Sequence, residues 1–229
     1  MTEFILASKS PRRKSLLRNL IDPFLVVNSD VEEKETRGET PAEFVVRLAR
    51  EKAHKGGEDV VHNSLENVFV IGADTIVVDE KEILGKPLDE EDAARILKQL
   101  RGRTHQVLSG IALYNLSTGE IQTQLVCTEV EMREYTDDEI QDYIASGDPL
   151  DKAGAYGIQN RDFNPAPNLY GCFANVMGLP LCHLAVLMTD MGIDTDHRVA
   201  DRCQDSIDYQ CPIYADVLAG MKGHSTESN

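Results

Sequence analysis

The sequence predicts an α/β domain: a mixed, twisted sheet with flanking helices and a central cleft. Three stretches carry this expectation. Glu3 to Val27 reads as strand, tight turn, helix and strand. The run VFVIGADTIVV, Val68 to Val78, is continuously apolar except for one acid, as suits a central strand buried on both faces. Val107 to Asn115 and Ile121 to Met132, separated by Ser117-Thr118-Gly119, pair as an antiparallel hairpin.

In chain order, the first strand runs from Glu3 to Ala7, and Ser10-Pro11 suits an N-cap followed by the first helical position. Leu16, Leu17 and Leu20 then share a helical face, and Phe24 to Val27 is β-branched enough for a strand. Thr40-Pro41-Ala42-Glu43 is a capping box, with Phe44, Val45, Leu48 and Ala49 on the buried face of a helix that ends near Gly56-Gly57. Asp89 to Leu100 has an acidic first turn, with Ala93, Ile96, Leu97 and Leu100 facing inward, and Asp137 to Ala145 is a short helix. A last helix follows Gly178-Leu179-Pro180 and runs to Met188. From about His197 the pattern weakens. The expected division is a domain over 1–196 and a C-terminal extension over 197–229 with a frayed tip.

Thirty-nine acids against 23 Lys and Arg give a formal charge of -16, which would repel a nucleic-acid backbone. The apolar stretch Val176 to Met188, broken by Pro180 and His183, is too short to cross a membrane, and the N-terminus has no signal-peptide pattern. Cys127, Cys172, Cys182, Cys203 and Cys211 form no CxxC pair, which argues against a zinc site or a disulfide framework and favours a reducing, cytoplasmic setting with cysteines packed as small apolar groups. The histidines His54, His62, His105, His183, His197 and His224 show no metal-ligand spacing. No Walker loop, GxSxG elbow, HExxH helix or dinucleotide fingerprint is present.

Against this acidic background, ILASKSPRRKSLLRNL gathers Lys9, Arg12, Arg13, Lys14 and Arg18 without an acid. Arg12 and Arg13 fall on the first turn of a helix, where cations are unfavourable unless an anion compensates, and where free backbone N–H groups already favour one. The pattern points to a phosphate site. Asp74 lies in the buried strand, where a carboxylate must be paired, hydrogen-bonded or holding a metal. Placed near the end of that strand it would face a cleft; its neighbour Thr75 points to the opposite face, so both can line a site only if the strand ends there. Glu32, Glu33, Lys52 and Lys86 read singly as surface charges. Together with Arg12, Arg13 and Asp74 they supply cations for a polyphosphate and carboxylates for a hard divalent ion. Gly154 to Gln159 reads as a turn whose terminal amide could read a base edge.

The blocks LASKSPRRKSLL, SDVEEK, TPAEFVVRLAREKA, VIGADTIVV, LGKP, LRGRTHQVLSG, DKAGAYGIQ and NVMGLPL, in this order from Phe4 to Met188, resemble the Maf family of nucleotide pyrophosphatases. The resemblance implies a fold related to the inosine-triphosphate pyrophosphatases, usually a homodimer. It also implies Mg²⁺- or Mn²⁺-dependent hydrolysis of a nucleoside triphosphate to the monophosphate and pyrophosphate. By the same resemblance Asp74 is the proton acceptor and sits at the metal with Glu33. Ser8, Arg12, Arg13, Lys52 and Lys86 hold substrate, and Arg12, Thr75 and Gln159 favour the dTTP/UTP branch over the 7-methyl-GTP branch. A purine or modified-nucleotide pyrophosphatase and a non-catalytic regulator of cell division are the alternatives. The sequence departs from the family pattern at Asn160 to Tyr170 and after about His197.

Overall fold

The first strand, β1 (Glu3–Ala7), stops where Ser8 begins the turn into α1 (Pro11–Leu17), whose N-cap Ser10 accepts a hydrogen bond from the Arg13 amide. The computed structural model describes residues 2–58, 67–196 and 198–220. The chain continues through β2 (Leu25–Val27), α2 (Pro41–Glu58), β3 (Val68–Asp79), β4 (Glu82–Leu84), α3 (Glu90–Leu100), β5 (Thr104–Asn115) and β6 (Ile121–Glu131). It then forms α4 (Asp137–Ala145), two 3-10 turns at Asp148–Asp151 and Ala153–Ala155, β7 (Asn168–Tyr170), α5 (Phe173–Met177), α6 (Leu181–Asp190), α7 (Val199–Ile207) and α8 (Tyr214–Ala219). The capping box at the start of α2 is present in both directions: Glu43 Oε2 accepts from the Thr40 amide and Thr40 Oγ1 from the Glu43 amide.

The sheet has seven strands in the order β2-β1-β3-β5-β6-β7, with β4 added to β3. The pairs β2/β1 and β1/β3 are parallel and the rest antiparallel, so the sheet is mixed. β3 is its spine, pairing with β5 from Phe69 to Val78. On its other edge β1 covers Val68 to Ile71 and β4 covers Val77 to Asp79. Between them, Gly72 to Ile76 has no strand on that edge among the described residues, and the cleft opens there.

Side chains alternate across the sheet. On one face, Ile76, Val78 and Leu108 pack with Phe44, Val45 and Leu48 of α2, and Ala112 packs with Ala49 and Ala53. On the other face, Phe69, Ile71, Ile111 and Leu113 pack with α1, α5, α6 and α7, while Val77 and Val107 pack with α3 and α4. These two clusters are the two lobes, and Thr75 and Ser109 lie at the seam between them.

The elements that sequence patterning missed are the short β4, β7 and α5 and, in the tail, α7 and α8. β4 and β7 have three residues each, too few for a period to register, and α5 has five. α7 carries Val199, Ala200 and Cys203 into the core beside α6, so this part of the tail packs against the body. The expected frayed tip, 221–229, and His62, His197 and His224 lie outside the described residues. All five cysteines are free; Cys172, Cys182 and Cys203 are buried as expected, but Cys127 is exposed, because it lies on the outward face of β6.

α2 lies directly on the strands because Gly72 and Gly110 leave it room. A Cβ at Gly72 would come within 2.2 Å of the Ala49 carbonyl oxygen, and one at Gly110 within 2.4 Å of that of Val45. Backbone contacts of this kind cannot yield as a side chain would. Gly110→Ala is therefore expected to destabilise the fold by about 2–4 kcal/mol. Gly85→Ala, where a Cβ meets open space, should stay within about 0.5 kcal/mol. Urea denaturation of both variants checks this.

Candidate active site

The close seating of α2 puts Lys52 over Asp74. Both are buried, 8% and 7% exposed, and the Lys52 ammonium donates to Asp74 Oδ1 at 2.6 Å. It also donates at 2.6 Å to Glu33 Oε1, which arrives from the loop after β2. One cation thus bridges two carboxylates, one buried and one largely exposed. Burial pushes the Asp74 carboxyl above its ordinary value, and the charges of Lys52 and Arg13 pull against that shift. A carboxylate with a raised pKa is a better proton acceptor near neutrality.

Arg13, on the first turn of α1, clasps three elements. Its Nε donates to the Gly178 carbonyl at 2.9 Å, its Nη1 to Ser8 Oγ at 3.3 Å and its Nη2 to Thr75 Oγ1 at 3.3 Å. Thr75 Oγ1 also shares a 2.7 Å hydrogen bond with Ser109 Oγ, and Ser109 donates to the Asn175 carbonyl. Arg13 therefore fastens the start of α1 to β3 and to the turn before α6. Arg12 lines the cleft and makes no hydrogen bond or ion pair among the described residues, and the same holds for Lys86 after β4. These two cations are open to an anion.

The cleft has a volume of about 980 Å³, and Ser8, Arg12, Arg13, Glu33, Lys52, Asp74, Thr75, Lys86 and Gln159 all line it. Glu32, which read alongside Glu33, is exposed and does not. The requirement that the strand end at Thr75 is corrected: β3 continues to Asp79, yet Asp74 and Thr75 both reach the cleft. The bare edge from Gly72 to Ile76 explains this. Where no strand covers that edge, side chains on both faces border the same opening.

Sequence reasoning missed Ser109, which holds Thr75, and Lys152, a buried ammonium on the far wall of the cleft. A serine inside the apolar stretch VLSGIALYN was as visible a signal as Asp74. Lys152 could have been found from Asp148 four residues earlier, its ion-pair partner at 2.8 Å. Of the described histidines, His105 Nε2 meets Tyr156 OH at 2.8 Å and His54 packs on the ring of Tyr114. Among the described residues no helix is long and apolar enough to cross a membrane.

The family model described as Maf-like protein matches residues 3–191. The chain belongs to this family. Its fold, a mixed sheet with flanking helices, agrees with that membership. Among relatives of this Maf-like chain, a protein of Geotalea uraniireducens named dTTP/UTP pyrophosphatase is 47% identical over 191 residues, 83% of this chain and 96% of its own length. One of Dictyoglomus thermophilum bearing the same name is 45% identical over 192 residues, covering 83% and 96%. A third, from Dehalococcoides mccartyi, is 43% identical over 194 residues, covering 85% and 84%. The Maf-like match ends at Met191, before α7 and α8.

The raised pKa of Asp74 sets a sign for stability. The folded state holds this proton more tightly than the unfolded chain, so ionising Asp74 costs stability. That cost is absent below the ordinary carboxylate range and grows as pH rises towards the folded value. With a chelator present, wild type should lose stability relative to Asp74→Asn across that window and run parallel to it above. Thermal midpoints of the two proteins from pH 4 to pH 8 check this.

Proposed function

We propose that this chain hydrolyses dTTP and UTP to the nucleoside monophosphate and pyrophosphate, a house-cleaning activity on nucleotides. The observation that carries this reading is the Glu33–Lys52–Asp74 cluster beside Arg12 and Lys86, cations without a partner among the described residues, in one cleft of a Maf-like chain. The names of its relatives, dTTP/UTP pyrophosphatase, supply the substrate class. In this reading the protein works as a cytoplasmic homodimer.

The triphosphate lies across the start of α1, where the side chain and backbone amide of Arg12 meet its oxygens and Lys86 reaches it from the other lobe. Arg13 holds Ser8, Thr75 and Gly178 in place around it. Asp74 orients a water towards the α-phosphorus and takes its proton. The charge of Lys52 opposes the effect of burial on Asp74 and its hydrogen bond fixes the carboxylate's direction.

Members of this family use Mg²⁺ or Mn²⁺. Among the described residues no three His, Cys, Asp or Glu side chains form a cation site of their own. Asp74 and Glu33 each direct one oxygen at Lys52 and leave the other unbonded among the described residues. Two hard carboxylate oxygens suit a divalent ion that completes its shell with water and phosphate oxygens. When bound there, such an ion polarises the phosphoryl group and lowers the pKa of water. Gln159, whose amide has no hydrogen-bond partner among the described residues, offers a donor and an acceptor to the O4/N3 edge of uracil or thymine.

Pyrophosphate release from a nucleoside triphosphate panel tests the reading. Release concentrated on dTTP and UTP, abolished by chelator and lowered by about 10³-fold in Asp74→Asn, is the expected outcome. Binding without release from any triphosphate would sink it in favour of a nucleotide sensor. In Gln159→Glu the preference for UTP over CTP should fall by about tenfold or more, read as the ratio of kcat/KM values.

A further inference from the structure

Gln159 is exposed and lies on the short segment between Gly157 and Asn160, outside any strand or helix. An amide that discriminates bases by a pair of hydrogen bonds needs a backbone that does not drift, because an error of about 1 Å forfeits both bonds. The structure holds this segment through one carboxylate on the far side of the turn.

Asp148 Oδ2 accepts from Tyr143 OH at 2.6 Å and from Asn160 Nδ2 at 3.1 Å. The same Tyr143 oxygen accepts from the Gly157 amide at 2.9 Å. Asp148 Oδ1 takes Lys152 Nζ at 2.8 Å, and Lys152 is further bound by the Asp148 carbonyl at 2.5 Å and Asp151 Oδ1 at 2.6 Å. All three donors of the ammonium are thereby used inside the protein. The Asn160 amide closes the turn onto the Gly157 carbonyl at 2.9 Å. Both ends of the Gln159 turn thus depend on Asp148, at Gly157 through Tyr143 and at Asn160 directly.

The anchor is rigid. Tyr143 stacks on Phe163 with ring centroids 4.1 Å apart and planes 9° apart, inside the core that α3 and α4 form on the sheet. Phe163 in turn donates its amide to Asn160 Oδ1 at 2.8 Å. Gly157 permits the close fit: a Cβ there would stand 3.0 Å from Lys152 Cε and 3.2 Å from Asp148 Oδ2. The clasp leaves the Gln159 side chain itself unengaged.

We propose that Asp148 is a positioning residue for base selection, acting through Tyr143, Lys152 and Asn160 to fix the backbone from which Gln159 reads the pyrimidine edge. This rests on the pyrophosphatase reading above. It adds to that reading a selectivity determinant that touches neither phosphate nor base.

The test compares kcat/KM for UTP and CTP, substrates that differ at the base edge, in wild type, Asp148→Asn, Tyr143→Phe and the double variant. Tyr143→Phe removes one hydroxyl and keeps the stacked ring, so it remains informative if Asp148→Asn folds poorly. Each single variant is expected to lower the UTP-to-CTP ratio by about tenfold. The loss should fall on UTP, and the double variant should be no worse than the more affected single one, as for members of one network. A ratio within twofold of wild type in Tyr143→Phe, or equal losses on UTP and CTP, would overturn the positioning role and leave the pyrophosphatase reading standing. A wild-type enzyme that releases no pyrophosphate, or that treats UTP and CTP alike, would overturn both.

Discussion

The ammonium of Lys52, shared between Asp74 and Glu33, is the interaction around which the molecule is arranged. A carboxylate in the middle of a buried strand would be too costly without a partner, and a lysine on the inner face of a helix equally so. Each makes the other tolerable. Their meeting demands that α2 lie flat on the sheet, which is why Gly72 and Gly110 stand where side chains would push the helix away. It also demands an opening, which the gap between β1 and β4 along Gly72 to Ile76 provides among the described residues. Glycine placement, strand order and the buried charge are three aspects of one constraint.

A second set of interactions handles the other face of β3. Thr75 is held from two sides, by Ser109 and Arg13, at the seam of the two lobes. Neighbouring arginines of one sequence motif therefore do different work. Arg13 spends its guanidinium on Ser8, Thr75 and Gly178, whereas Arg12 has no partner among the described residues and lines the cleft. An anion arriving at the start of α1 meets a surface already shaped by Arg13 and charged by Arg12. That local cationic surface is set in a chain of net charge -16. Such a contrast draws polyanions of small size to the cleft while the rest of the surface repels long ones.

Most of the architecture was legible because its principal elements are long and strongly patterned. The unbroken apolar run of β3, the capped amphipathic helices α2, α3 and α4, and the β5/β6 hairpin each follow from local rules. The three-residue strands β4 and β7 carry no periodic signal, and their pairing depends on β3 and β6 being already in place. In the site, charge in a buried strand exposed Asp74, and charge at a helix start exposed Arg12 and Arg13. What sequence reasoning could not see was division of labour: nothing local distinguishes Arg12 from Arg13. Nor could it see the bare edge of β3, since an edge is defined by strands distant in the chain. The inference that β3 must end at Thr75 failed for that reason.

β3 runs without interruption through both lobes and stays paired to β5 from Phe69 to Val78. A cleft between lobes commonly invites a hinge, but here any hinge would have to break or shear the central pair of the sheet. The two halves are thus joined through the central pair of the sheet. A molecule built this way sorts its ligands by a standing shape. Recognition then depends on how accurately that shape is set beforehand, and little on motion after the ligand arrives.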